Sequence, residues 1–291
     1  MKIRKFNTKT SNETLINFNY NSSTAQKTIA GNWAVTLLNN RSFYSGRTRK
    51  TTSKKDDNTV IVNNDKGKQP FTSTGLLTAS SGSGTVFLLG NGYGLTAAHC
   101  VFFRDRYRSN LQATFTYEGA LKTIKKTTNI TEVYIPNDWV ISNPGYTAET
   151  TADQRNNDWA LVKFDDVDLQ KTFGATTIAS NVEINNLTEY VAVGYPTRKQ
   201  KQLCYSVGQN YAIITPKIYE LLCYTSEGMS GGPILAFYSE YDERLDDILY
   251  YSYTIGIVST GQPDEINSTE LWTGAYRITN EMIDFINEVS K

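Results

Sequence analysis

Three polar residues in this chain carry the groups that hydrolytic chemistry uses, each in a setting that suggests a role. The only histidine, His99, stands in "GLTAAHCV"; Ser230 stands in "TSEGMSGGP"; Asp158 stands in "NNDWALVKF", just ahead of an apolar run. Catalysis by a hydroxyl needs a base to take its proton, an acid to fix the base's tautomer and balance its cation, and amide donors where the oxyanion develops. Ser230, His99 and Asp158 can fill the first three places. Each also has a plainer reading. A serine beside Gly-Gly-Pro makes a turn, a lone histidine is commonly an ordinary surface or core residue, and an aspartate before a strand is commonly a turn residue. One histidine, with no CxxC or HExxH spacing, leaves no basis for a metal site, and no cofactor is expected.

The elements that must position these residues are mostly strands. Short β-branched and aromatic runs bounded by Gly, Asn, Asp or Pro recur along the chain, among them "NWAVTLL", "GTVFLL", "ATFTYEG", "TEVYI", "WALVKF", "EYVAVGY", "YAIIT" and "YSYTIGIVS". Such spacing predicts an all-β sandwich or barrel. The one helical pattern is the last segment, where Ile278, Met282, Phe285 and Val289 recur at three and four behind a capping-type Asn280. Residues 39–80 have almost no apolar pattern and read as a mobile insertion, and Tyr238–Asp247 reads as a second, acidic one. No repeat of fixed short period appears.

At 291 residues the chain can bury a sizeable core. Lys plus Arg equals Asp plus Glu at 29 each, so no overall field draws it to nucleic acid or to an anionic membrane. The balance is uneven: residues 1–70 hold 13 basic against 4 acidic residues, leaving 16 against 25 for the rest. The basic front, residues 1–27 above all, reads as a solvated polar segment. No apolar run has the length of a secretory signal or a membrane span. With three cysteines, Cys100, Cys204 and Cys223, a cytoplasmic setting is the expectation, a secreted mature form being the alternative; Cys204 and Cys223 could form one bridge.

Taken together, "TAAHC", "DWALV" and "GMSGGP", in that order, resemble the chymotrypsin-like serine peptidases, in their trypsin-like and glutamyl-endopeptidase-like bacterial branches. "SGSGTVFLLGNGYGLTAAHC" looks like the hairpin that delivers the base, "VAVGYP" like the opening strand of a second barrel, "GIVSTG" like the substrate-binding strand, and "NWAVTLL" like the first strand. The resemblance covers about residues 76–291. It implies two six-stranded antiparallel β-barrels of the chymotrypsin type with a C-terminal helix: barrel 1 over about 28–170, barrel 2 over about 171–277, and the helix over about 278–290.

The resemblance also implies roles. Ser230 is the nucleophile, His99 the base and Asp158 its partner, with the N–H groups of Gly228 and Ser230 as the oxyanion hole. Met229 stands where the trypsin branch has an aspartate that pairs with a freshly cut N-terminus, so activation by that switch is not expected, and a partner that orders the site is the alternative. Gap-free counting from Ser230 puts Tyr224 at the pocket base with Thr225 beside it, and Ser259, Gly261 and Gly274 along the substrate-binding walls. Lacking an acid at that base and a histidine before Ser259, the pocket implies an uncharged residue before the scissile bond. Cys100, tied to an upstream cysteine in the family, has no such partner in "ASSGSGT" and reads as a free thiol. The expectation is therefore a serine endopeptidase acting on protein or peptide through an acyl-enzyme, the alternatives being a catalytically silent binding module on the same fold, or a site confined to esters or its own chain.

Overall fold

The computed structural model describes residues 1–19, 27–29, 59–62, 66–67, 69–103, 105–142, 156–182, 189–242, 247–260 and 273–291. Twelve strands close into two barrels. The first comprises β1 (Thr74–Ala79), β2 (Gly82–Gly90), β3 (Tyr93–Thr96), β4 (Gln112–Glu118), β5 (Thr123–Pro136) and β6 (Ala160–Phe164). They pair in the order β1-β2-β3-β6-β5-β4, and β4 closes the ring by pairing back onto β1. The second comprises β7 (Glu189–Gly194), β8 (Cys204–Thr215), β9 (Ile218–Leu222), β10 (Pro233–Asp242), β11 (Asp247–Thr260) and β12 (Thr273–Arg277). Their order, β7-β8-β9-β12-β11-β10 with β10 returning to β7, repeats the topology of the first. The chain thus carries one long structural duplication that no short sequence period announces.

Register explains how barrel 1 brings two polar residues to one place. β3 and β6 are antiparallel with Thr96 opposite Ala160 and Leu95 opposite Leu161. The chain leaving β3 therefore emerges beside the chain entering β6. His99 follows the first end by three residues, in the helical turn Ala98–Val101, and Asp158 precedes the second by two. Trp159 anchors that entry, packing edge-on against Phe285 at 6.1 Å and tilted against Tyr276 at 6.4 Å. Phe285 belongs to the C-terminal helix, Asn280–Val289, whose Met282, Ile283, Phe285 and Ile286 are buried. Covering Trp159 with that apolar face stabilises the strand end on which Asp158 sits, by roughly 1.5–3 kcal/mol for each large side chain buried.

Four expectations need correction. The helix is capped by Thr279, whose hydroxyl accepts the Met282 N–H at 3.2 Å, and Asn280 is its first residue. Within 39–80, Thr74–Ala79 is a full barrel strand and Val60–Ile61 pairs with β8, whereas residues 39–58 lie outside the described residues, as does "NWAVTLL". The strand escaped a hydrophobic reading because its approach buries hydroxyls instead: Ser73 donates to the Pro70 carbonyl at 2.9 Å and Thr74 to the same oxygen at 3.0 Å. The acidic stretch from Tyr238 is no insertion either, since β10 and β11 stay paired out to Asp242 opposite Asp247.

The fourth concerns the N-terminus, where Lys2–Asn7 and Glu13–Asn17 form a hairpin laid on β5. Ile3 is fully buried and Phe6 stacks on Tyr107 at 4.0 Å. The basic residues that suggested a solvated segment face acids of the body, Lys5 to Glu132 at 2.8 Å and Lys9 to Asp165 at 3.0 Å. Solvent-accessible pairs of this kind, half-buried for Lys5–Glu132 and exposed for Lys9–Asp165, are worth about 1 kcal/mol each, so burial of Ile3 and strand pairing hold the hairpin and the charges set its register. Among the described residues no helix is long and apolar enough to cross a membrane.

Candidate active site

Asp158 is fully buried, and three donors converge on its carboxylate. Its Oδ1 accepts the main-chain N–H of His99 at 3.0 Å, and its Oδ2 lies 2.8 Å from His99 Nδ1. Ser259, from β11 of barrel 2, donates its hydroxyl to the same Oδ2 at 2.5 Å. Two bonds to one residue fix the ring's position and its orientation together. A carboxylate at Nδ1 also holds the proton of a neutral imidazole on that nitrogen and makes Nε2 the acceptor.

Ser230 arrives from barrel 2 on the turn Cys223–Gly232 between β9 and β10. The contacts that bring it to barrel 1 are main-chain ones. Its carbonyl accepts the Thr85 N–H at 2.8 Å and the Cys100 thiol at 3.5 Å, Cys100 being the neighbour of His99 in the chain. Thr85, buried in β2, also donates its hydroxyl to the Gly228 carbonyl at 2.9 Å and accepts the Tyr195 N–H at 3.1 Å. One threonine thus ties the turn to both barrels. On the turn's other side the Gly231 N–H donates to the Val258 carbonyl at 2.7 Å, and Val258 N–H to Gly232 at 2.8 Å.

The amides along the turn divide into two kinds. Those of Met229, Gly231 and Gly232 donate to Ser226, Val258 and Met229 carbonyls, whereas among the described residues no acceptor takes the N–H of Gly228 or Ser230. Gly228 has φ +94°, and a Cβ there would lie 2.4 Å from the Tyr195 carbonyl oxygen. Only glycine permits both that angle and that approach. Met229 points away into the barrel 2 core, fully buried beside Tyr190 and Ile234, so it serves packing.

The other expected residues fare differently. Ser259, expected along the substrate-binding strand, has its hydroxyl committed to Asp158 and is buried at 1% exposure, a side-chain role that the sequence did not suggest. Thr225 is buried and its hydroxyl lies 2.9 Å from that of Thr273, which in turn donates to the Cys223 carbonyl at 2.7 Å. Tyr224 is half-buried, its N–H on Ser206 Oγ at 3.1 Å. Gly274 sits in β12 opposite Glu220 and Thr260, and Gly261 lies outside the described residues. All three cysteines are buried and outside any disulfide, with no Cys204–Cys223 bridge. Sequence reasoning missed Thr85. Its signal is a hydroxyl at the head of the apolar run "TVFLL", a place where a buried donor demands a partner.

Burial acts to lower the pKa of His99, but the Asp158 carboxylate outweighs it and, with a smaller contribution from Cys100, holds the imidazole well above its ordinary 6.5. The Asp158 carboxylate therefore favours the protonated ring relative to an isolated histidine. A raised folded-state pKa contributes stability that is complete below 6.5 and is lost as pH rises through the folded value. Chemistry that needs the neutral ring runs the opposite way. We expect kcat/KM for any reaction using His99 as a base to climb through a single ionisation above 6.5, while thermal stability declines over the same interval; a rate profile flat from pH 6 to 9 would contradict it.

Comparisons with known proteins bear on the family and the fold. The trypsin-like peptidase domain matches residues 82–240, which include His99, Asp158 and Ser230. Among solved structures, a Glu endopeptidase in complex with MPD superposes with a TM-score of 0.59 at 20% identity, covering 81% of this chain and 98% of that one. The Rv3671c protease in its inactive form gives 0.45 at 14%, covering 76% and 90%. No curated protein sequence matches. With more than half its length inside the domain and both barrels closed in the same order, the chain belongs to the trypsin-like peptidase family and is a serine endopeptidase of the hydrolase class.

Proposed function

We propose that the protein cleaves peptide bonds by attack of Ser230 Oγ on the scissile carbonyl. His99 Nε2 takes the hydroxyl proton as the Oγ–C bond forms, and the imidazolium then gives that proton to the departing amine as the C–N bond breaks. Water repeats the sequence on the acyl-enzyme, releasing the acid and restoring Ser230. Asp158 orients the ring and balances the cation, and the N–H groups of Gly228 and Ser230 receive the oxyanion. The observation that carries this reading is the pair of bonds from His99 to buried Asp158, with a turn beside them whose two uncommitted amides flank the serine.

An uncharged residue before the scissile bond is the best-supported specificity. Thr273 spends its proton on the Cys223 carbonyl, so Thr225 must donate to Thr273 and offers a substrate only lone pairs. A substrate carboxylate meeting Thr225 would find an acceptor facing an acceptor. The test is a diverse peptide library incubated with the protein and with Ser230→Ala, the cuts being read by mass spectrometry. Cuts by the parent alone, mostly after neutral residues, are expected. Equal patterns from both proteins would overturn the mechanism and leave a silent binding module, and cuts mainly after Glu, Lys or Arg would overturn the specificity.

A further inference from the structure

Just ahead of Ser230 the chain makes a four-residue turn, Ser226–Met229, closed by the Met229 N–H on the Ser226 carbonyl at 3.0 Å. Turns with this closing bond come in two common forms that differ in which way the central peptide faces: the third residue has a negative φ in type I and a positive one in type II. Here the central peptide joins Glu227 to Gly228. Glu227 has a negative φ and Gly228 one of +94°, so the turn is type II. Glycine enters either form at little cost, and the closing bond is common to both, so neither fixes the choice. Met229 does not fix it either, its apolar side chain being buried in barrel 2. Thr85, bonded to the Gly228 carbonyl, holds the next peptide along.

The group that makes the choice comes from the connection between β7 and β8. There the main-chain N–H of Thr197 donates to the Glu227 carbonyl at 2.8 Å, holding the oxygen of the central peptide toward that connection. In a planar trans peptide the N–H points opposite to the carbonyl. The Gly228 N–H is thereby turned away from Thr197, to a side where, among the described residues, no acceptor takes it. The connection also holds its donor in place. Pro196, extended at ψ 134°, leads into the 3-10 turn Thr197–Lys199, and its carbonyl accepts the N–H of both Lys199 and Lys201 at 3.2 Å. Tyr195, one residue earlier, is tied to barrel 1 through its N–H to Thr85 Oγ1 at 3.1 Å and its hydroxyl to the Thr74 carbonyl at 3.2 Å.

We propose that Thr197 is a positioning residue for catalysis: its main-chain N–H selects the type II form of the turn Ser226–Met229 and so keeps the Gly228 N–H directed at the oxyanion before substrate arrives. The proposal rests on the peptidase reading above and adds what sets that reading's oxyanion hole. Without this donor the type I form competes, the Gly228 N–H faces the other way in it, and the hole keeps only the Ser230 amide. A donor fixed in advance adds no reorganisation to the reaction itself.

The test removes the donor from the full chain in two ways. Thr197→Pro suits the local backbone, since it falls at the first position of a 3-10 turn behind a residue that is already extended, and its ring both replaces the N–H and crowds the Glu227 oxygen. An ester in place of the Pro196–Thr197 amide removes the N–H alone and keeps the threonine side chain, so it decides the matter if the proline variant does not fold. With a peptide from the library screen, kcat is expected to fall by about 10- to 10²-fold in both while KM stays within about threefold. Binding of the uncleaved peptide to Ser230→Ala, with and without the ester, should be alike. Thr197→Ala, which keeps the N–H and lacks the hydroxyl, should recover the parent kcat to within about threefold. An unchanged kcat in the ester form, a loss of peptide binding as large as the loss of kcat, or an equal loss in Thr197→Ala overturns the proposal. If the parent cleaves nothing, the peptidase reading fails by itself, and crystal structures of the parent and the ester form decide the turn. Type II in the parent with type I present in the ester form upholds the selection by Thr197, and the same turn in both overturns it.

Discussion

Asparagine in place of Asp158 is expected to give a folded protein whose kcat has fallen about 10⁴-fold. The reason lies in which oxygen each donor uses. Oδ1 receives the main-chain N–H of His99, a donor that cannot be reversed, so the amide oxygen of the asparagine must take that place. Its NH₂ then faces His99 Nδ1 and Ser259 Oγ. An N–H opposite Nδ1 forces the ring proton onto Nε2, the nitrogen that must accept from Ser230, and the base is lost with its geometry intact. Ser259 accommodates the change by accepting where it had donated. The loss should therefore appear in kcat with little change in KM, and the single ionisation above 6.5 should move toward the ordinary value once the carboxylate is gone. Steady-state rates with a peptide found in the library screen would check it. Activity within tenfold of the parent would mean that Asp158 neither orients nor charges the ring.

Gly231→Ala is expected to damage fold and activity at once. Gly231 has φ +86°, and a Cβ there would lie 2.2 Å from both the Thr85 carbonyl oxygen and the Thr96 hydroxyl. Those two atoms are bonded to each other at 2.7 Å and belong to paired strands of barrel 1, so neither can retreat without opening β2 from β3. Left-handed strain and overpacking together cost on the order of 2–5 kcal/mol. For a chain of this size that corresponds to a fall in Tm of about 5–15 °C. Any movement that relieves the clash pulls the Ser230 carbonyl from Thr85 N–H and disturbs the oxyanion amides, so kcat/KM should drop by at least about 10² even where the protein is folded. Thermal melts and rates at low temperature separate the two effects. A variant with an unchanged Tm would show that the turn is looser than its contacts imply.

How much of this was legible in the sequence varies residue by residue. His99, Asp158 and Ser230 were readable because each sits in a short motif whose neighbours, small residues before the histidine and glycines around the serine, serve the same task. The apolar alternation that marks strands was readable for the same local reason. Thr85 and the true partner of Ser259 were not, because a hydroxyl's role is set by what folds against it, and their partners lie 110 to 145 residues away for Thr85 and 101 for Ser259. The N-terminal hairpin hid for a related reason: only Ile3 and its cross-strand partner Ile16 mark its inner face, and the strand that completes it comes more than a hundred residues later. Thr279 and Asn280 are both good caps, and a choice between neighbours is decided by backbone geometry.

The division of the site between the barrels has a consequence for the protein's life before it is finished. His99 and Asp158 are made first, and barrel 1 can close around them, but Ser230 and the Ser259 hydroxyl come from segments translated 72 and 101 residues after Asp158. Until β2 and the serine turn meet through Thr85, the nucleophile and its base belong to separate bodies. Under the proposed mechanism, the nascent chain, and any chain opened along the seam between the barrels, cannot cut, because nucleophile and base are brought together only when the two barrels dock.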